Sequence, residues 1–150
     1  MKIWGIGANL RGNVDISDDF INRNIAYLGY KKEEAPVFYE MLKEIKLGDL
    51  VYIKTLPIGA GNLHIKNVGI VTRELSDVVQ YVNNDTQNDT LGVKWLDIQM
   101  NLDIEKCDKK YTARSTSIYR EYSPFVINEI MTCICLLYTS PSPRDISGSR

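Results

Sequence analysis

An α+β fold is expected for this chain: a mixed β-barrel of about six or seven strands with three flanking helices. Three observations predict it. Short apolar runs of strand length recur at residues 2–8, 50–53, 63–72 and 92–98. Between them, apolar residues at helical spacing mark segments near 38–45 and 127–134. Residues 41–72, finally, read as a helix end, a tight Gly48-Asp49 turn, a buried strand, a glycine-rich loop and a second strand. No segment repeats, and the length suits one domain.

Each element has a local reason. Residues 2–8 alternate apolar with small side chains, as in a strand packed on one face and closely approached on the other. Residues 9–13 are polar and contain Gly12, so a loop is expected. Ser17 is placed to cap a short helix, with Asp18 and Asp19 in the first turn and Phe20 and Ile21 on its buried side. Residues 25–30 read as a strand. Pro36 can open a helix without losing a hydrogen bond, and Phe38, Met41, Leu42 and Ile45 make its apolar stripe.

Leu50-Val51-Tyr52-Ile53 is apolar without alternation, which marks a central strand. Residues 57–62 form a loop whose Gly59-Ala-Gly61 lacks the Gly-Lys-Ser/Thr ending of a phosphate loop. The alternation of 63–72 changes phase near Asn67-Val68, the mark of a β-bulge. A shorter strand is expected at 78–82, an exposed loop at 83–90, a strand at 92–98 and a strand or turn at 114–119. Ser123-Pro124 should cap a last helix with Ile127, Ile130, Met131 and Ile134 on one face.

The tail stands apart. Residues 135–145, CLLYTSPSPRD, resemble a translated sequencing adapter, and residues 146–150 fit the index and fixed Ser-Arg that follow one. They are expected to be a non-native, disordered extension, with the natural chain interrupted at about Ile134. The whole chain has 18 basic and 19 acidic residues and a net charge of −1. Leaving out Arg144, Arg150 and Asp145 gives 16 basic against 18 acidic residues, a net charge of −2. That balance disfavours tight non-specific nucleic-acid binding, which depends on neutralised phosphates, but it leaves room for a local basic face.

Cys107, Cys133 and the single His64 have no zinc-site spacing, so no metal and no cofactor are expected. Without a signal peptide or an apolar run near ~18 residues, a cytoplasmic protein with no membrane contact is expected.

Ordered short motifs then carry a resemblance. Trp4-Gly-Ile-Gly, Asn24-Ile-Ala-Tyr-Leu-Gly-Tyr30, Leu42-Lys-Glu-Ile-Lys-Leu-Gly-Asp-Leu-Val-Tyr-Ile-Lys54 and Val68-Gly-Ile-Val-Thr72 follow one another. Val93-Lys-Trp95 and Arg114-Ser-Thr-Ser-Ile-Tyr119 extend the series. Together they resemble an EVE-like domain of the PUA-like superfamily over about residues 1–134. The resemblance implies a pseudobarrel whose aromatic pocket holds a flipped, often modified, nucleobase. It implies a reader rather than an enzyme, alone or linked to modification-dependent restriction. The partner would be DNA or RNA carrying a modified base, together with a nuclease or ATPase.

The residue chemistry fits that implication. Flipped bases are held by stacking and by hydrogen bonds to their edges. Trp4 and Trp95 are the expected pocket walls, or else ordinary core aromatics; Tyr30 and Tyr119 are further aromatic candidates. Asn9 and Ser117 would read base edges, with a turn role as the alternative for Asn9. Lys54 and Arg114 are the phosphate candidates, with Lys66 and Arg120 behind them, and solvated surface charge is the alternative for all four.

Two other functions stay open on sequence. One is a small RNA-directed hydrolase or ribonuclease of a related barrel family, using Lys54 and a nearby acid. The other is a protein-interaction module that docks on a nuclease or ATPase.

Overall fold

A computed structural model describes residues 1–10, 14–29, 33–55, 62–75, 90–103 and 116–139. In chain order these form β1 (Ile3–Gly7), β2 (Asn9–Leu10), β3 (Val14–Asp15), α1 (Ser17–Arg23), β4 (Ile25–Ala26) and α2 (Pro36–Glu44). There follow β5 (Leu50–Thr55), β6 (Asn62–Arg73), β7 (Leu91–Trp95), β8 (Met100–Asp103), β9 (Ile118–Arg120) and α3 (Pro124–Thr139). The main sheet has seven strands, six of them in the order β4-β7-β6-β5-β1-β9, with β8 also paired to β6, and it curls into a half-barrel. β1 and β5 run parallel and the remaining pairs of the main sheet are antiparallel. A parallel pair needs a long crossover, and here the connection from β1 to β5 carries both α1 and α2.

Alternate residues of the sheet feed two cores. On one face Trp4, Ile6, Val51, Ile53, Val71 and Val93 pack with Phe20 of α1 and with Tyr39 and Leu42 of α2. On the other, Ile3, Leu50, Tyr52, Leu63, Ile65 and Tyr119 pack with Val126 and Ile130 of α3. β5 is covered on both sides, which explains its unbroken apolar run. Burying one such leucine or isoleucine side chain contributes roughly 1.5–3 kcal/mol.

The Gly48-Asp49 junction has a definite task. Gly48 takes φ +87°, a conformation that glycine adopts without a Cβ penalty. Asp49 then turns inward, 5 % exposed. Its Oδ1 accepts from the Lys2 backbone N–H at 3.0 Å, and its Oδ2 from the Trp4 indole at 3.1 Å and the Lys46 backbone N–H at 3.0 Å. Burial alone would raise this carboxyl, but the donors outweigh it and hold its pKa below the ordinary value. One side chain therefore ties the entrance of β1, the exit of α2 and the start of β5.

The bulge falls where the alternation changes phase. Ile53 pairs with Asn67 and Lys54 with Ile65, so Lys66 is the extra residue. Asn67 is buried, and its Oδ1 accepts from the Val68 and Ile98 backbone N–H groups. A polar side chain thus satisfies donors that the irregular ladder would strand.

Several expectations need correction. Ser17 is the first helical residue and not the cap; its backbone N–H and hydroxyl both donate to Asp15 Oδ1, so the aspartate satisfies the helix start. The strand expected at 25–30 stops at Ala26. The loop expected at 9–13 begins with the two-residue strand β2, paired to β3. The strand expected at 92–98 ends at Trp95, Asp97 has φ 59°, and the chain re-enters the sheet as the unforeseen β8. In α2 the deepest positions are Tyr39 and Leu42, whereas Phe38 and Met41 are partly buried at its edge.

α3 begins at Pro124 as expected, with Ser123 Oγ accepting from the Val126 N–H. It continues through Thr139, five residues into the segment expected to be disordered. Leucines 136 and 137 favour helix, and the first proline beyond Ile134 is Pro141. The expected strand at 78–82 and most of the loop at 83–90 lie outside the described residues.

Candidate functional site

The two tryptophans belong to the framework. Trp4 is 1 % exposed, and its indole N–H is committed to Asp49. Trp95 is half-buried, and its N–H donates to the carbonyls of Phe20 at 3.0 Å and Ile25 at 3.2 Å. Its ring stacks on Phe20 with planes 8° apart and centroids 6.4 Å apart. It pins α1 and β4 onto β7. Both indole N–H groups and one face of the Trp95 ring are therefore committed to the framework, while Trp95 stays partly exposed and Trp4 borders a cleft beside α2.

Three of the remaining candidates, Lys54, Ser117 and Tyr119, gather at the end of β1. Gly7 N–H donates to the Ser117 carbonyl at 2.8 Å, and exposed Asn9 follows two residues later. Gly7 also pairs with Lys54 in the parallel ladder. Lys54 Nζ donates to the Thr116 carbonyl at 2.7 Å and stands 5.2 Å from the centre of the Tyr119 ring. Burial pushes the pKa of this ammonium down to about 8. Lys54, Ser117 and Tyr119 thus share one corner of the sheet, whereas Asn9 belongs to the separate β2–β3 pair, opposite Asp15. Tyr30 and Arg114 lie outside the described residues.

A buried polar chain supports the corner. Tyr119 lies across Gly5, where an added Cβ would meet its ring at 2.4 Å. Its hydroxyl meets that of Tyr52 at 2.6 Å, and the Tyr52 hydroxyl donates to Glu121 Oε1 at 2.6 Å. Glu121 is itself 2 % exposed and accepts from the Ser123 N–H through Oε2. Burial, with Tyr119 and Glu121 beside it, raises the Tyr52 hydroxyl well above its ordinary range. Glu121 had no sequence signal, because a buried carboxylate follows no periodicity. Gly5 did have one, in the small residues that alternate along β1.

Two clefts open among the described residues. One, of about 540 Å³, is lined by Asp15, Ser17, His64, Lys66 and Met100 among others. There Lys66 Nζ bonds Asp15 Oδ2 and holds that carboxyl down to about 2, so this lysine is already engaged. His64 is exposed, opposite in phase to buried Leu63 and Ile65. The other cleft, of about 460 Å³, runs between α2 and β9. Arg120, a lesser phosphate candidate, sits in it with its guanidinium 4.7 Å from the centre of the Tyr122 ring.

No protein-family model matches the chain, and no curated protein matches it. Among the described residues no helix is long and apolar enough to cross a membrane.

Proposed function

We propose that this chain is a PUA-like, EVE-type module that binds DNA or RNA through a flipped, modified nucleobase and catalyses no reaction. The observation that carries the reading is the corner at the end of β1. Lys54 brings a half-buried cation against the Thr116 carbonyl and the Tyr119 ring, with Ser117 beside it and Asn9 two residues beyond Gly7 along the chain. A partly desolvated ammonium interacts more strongly with phosphate than a fully hydrated one. Short polar side chains next to it suit a base edge. The ordered motifs and the curled mixed sheet are compatible with the same reading. Its natural setting would be modification-dependent restriction, with a nuclease or ATPase as working partner.

The test is fluorescence anisotropy with labelled oligonucleotides that carry different base modifications, alongside unmodified controls. Saturable binding that prefers one modification and weakens about tenfold in Lys54→Ala is expected. Equal affinity for modified and plain strands would overturn base reading, and absence of binding would overturn the whole assignment.

One observation favours a second reading. A lysine brought down to about 8 by burial is also what a proton-transfer site uses. In that case the protein would be a small RNA-directed hydrolase. Incubation with labelled RNA separates the two, because turnover lost in Lys54→Ala supports catalysis and intact RNA rules it out.

A further inference from the structure

The groove between α2 and β9 is bordered by Trp4 and meets the Lys54 corner at Thr116 and Tyr119. Trp4 pairs with Arg120 and Ile6 with Ile118 on the α2 side, whereas Gly5 pairs with Tyr119 on the α3 side. Its walls are Val37, Phe38 and Met41 from α2, with Ile118 and Tyr122 opposite. Val37 is 68 % exposed and Tyr122 50 % exposed. Neither therefore serves the core, although both face one cleft. The volume, about 460 Å³, falls within the range of small-ligand clefts.

Charge is placed at the apolar walls. Arg120 holds its guanidinium against the Tyr122 ring, and among the described residues no carboxylate pairs with it. A guanidinium laid on an aromatic face keeps its N–H edge directed outward, the geometry that recognises phosphate. Glu44, exposed on the α2 wall, offers an acceptor for ring N–H or amino groups.

We propose that this groove binds a ligand of nucleotide chemistry: a planar heteroaromatic ring packed against Val37, Phe38 and Met41, with its phosphate on Arg120. Tyr122 acts as a positioning residue that holds the guanidinium plane. The site rests on Arg120 and α2 rather than on Lys54, although Thr116 and Tyr119 border both, and it stands whether or not that corner reads a base.

The experiment is isothermal titration of the full chain with the four ribonucleoside monophosphates, their nucleosides, inorganic phosphate and a short single-stranded oligonucleotide. A monophosphate should bind at least tenfold more tightly than its nucleoside. Arg120→Gln should remove that difference. Tyr122→Ala should weaken binding several-fold and Tyr122→Phe should restore it, which separates positioning of Arg120 from a hydroxyl contact. Lys94→Ala, an exposed change on β7, should have no effect. Binding of the oligonucleotide with the same Arg120 dependence means that the ligand is a nucleotide within a strand; monophosphate binding alone means a free nucleotide. Nucleoside and monophosphate binding equally, insensitivity to Arg120→Gln, or no binding of any probe would each overturn the proposal. All four variants change exposed or half-exposed side chains, and circular dichroism checks that each is folded.

Discussion

Replacing Asp49 with alanine removes three acceptor contacts at once, and their separate costs follow from where each donor sits. The backbone N–H groups of Lys2 and Lys46 are part-buried and near the surface. Water can replace the carboxylate there, so each loses only a net ~0.5–1 kcal/mol. The Trp4 indole N–H has no such recourse, because its residue is 1 % exposed; leaving it unsatisfied costs ~1–3 kcal/mol. Together these give a destabilisation of about 2–5 kcal/mol, a large part of the stability of a domain of this size.

Urea unfolding followed by tryptophan fluorescence measures it, with a fall in midpoint at unchanged slope. Asp49→Asn keeps one acceptor oxygen and should lose about half as much. The pH dependence has a fixed sign. Since the folded pKa lies below the ordinary 3.8, the contribution is complete above that value and disappears as pH falls through the folded one. Asp49→Asn should therefore flatten the acid limb of the stability curve. If Asp49→Ala costs under ~1 kcal/mol with the slope preserved, the three-donor clamp is not a net stabiliser and the junction owes its form to Gly48 alone.

Three further outcomes are expected. Trp95→Ala should destabilise by ~3–5 kcal/mol, because it removes the stack on Phe20 and both carbonyl contacts. Thermal unfolding checks this, and a variant that kept full stability would show that Trp95 does not pin the framework. Gly5→Ala should cost ~1–3 kcal/mol through overpacking against Tyr119 and should disturb the Tyr52–Tyr119 contact, seen as altered near-ultraviolet circular dichroism. Oligonucleotide affinity at the Lys54 corner should fall as pH rises through about 8, because the ammonium loses its charge there. Folding stability should instead rise between about 8 and 10.5, where the unfolded chain binds the extra proton.

Much of the framework was legible in the sequence for physical reasons. β5 announced itself because a strand covered on both faces cannot alternate, and the bulge because one extra residue inverts the phase of all that follow. Pro36 and Pro124 fixed two helix starts, since proline's restricted φ suits the first turn. Pairing was less visible. β8 has only four residues, and what joins it to β6 is backbone hydrogen bonding, which side-chain pattern does not record.

The site was legible only in part. Lys54, Ser117 and Tyr119 come together because β5 and β9 flank β1, a fact of topology that no local window contains. The tryptophans were ambiguous for a complementary reason. A large aromatic with one polar atom suits a ligand pocket and a core equally well, and only the partner of its N–H distinguishes them.

The position of β9 also sets an order of events during synthesis. β1 leaves the ribosome more than a hundred residues before one of its two neighbours, residues 118–120. Until then the Gly5 face of β1 and the hydroxyl of Tyr52 lack the ring that covers them, and the early strands wait with that side open. Contacts of such long sequence separation slow folding and lengthen the interval in which a nascent sheet can pair wrongly. A ribosome stalled before Ile118 would therefore hold a chain able to build the β5–β6 ladder but unable to seal its first strand.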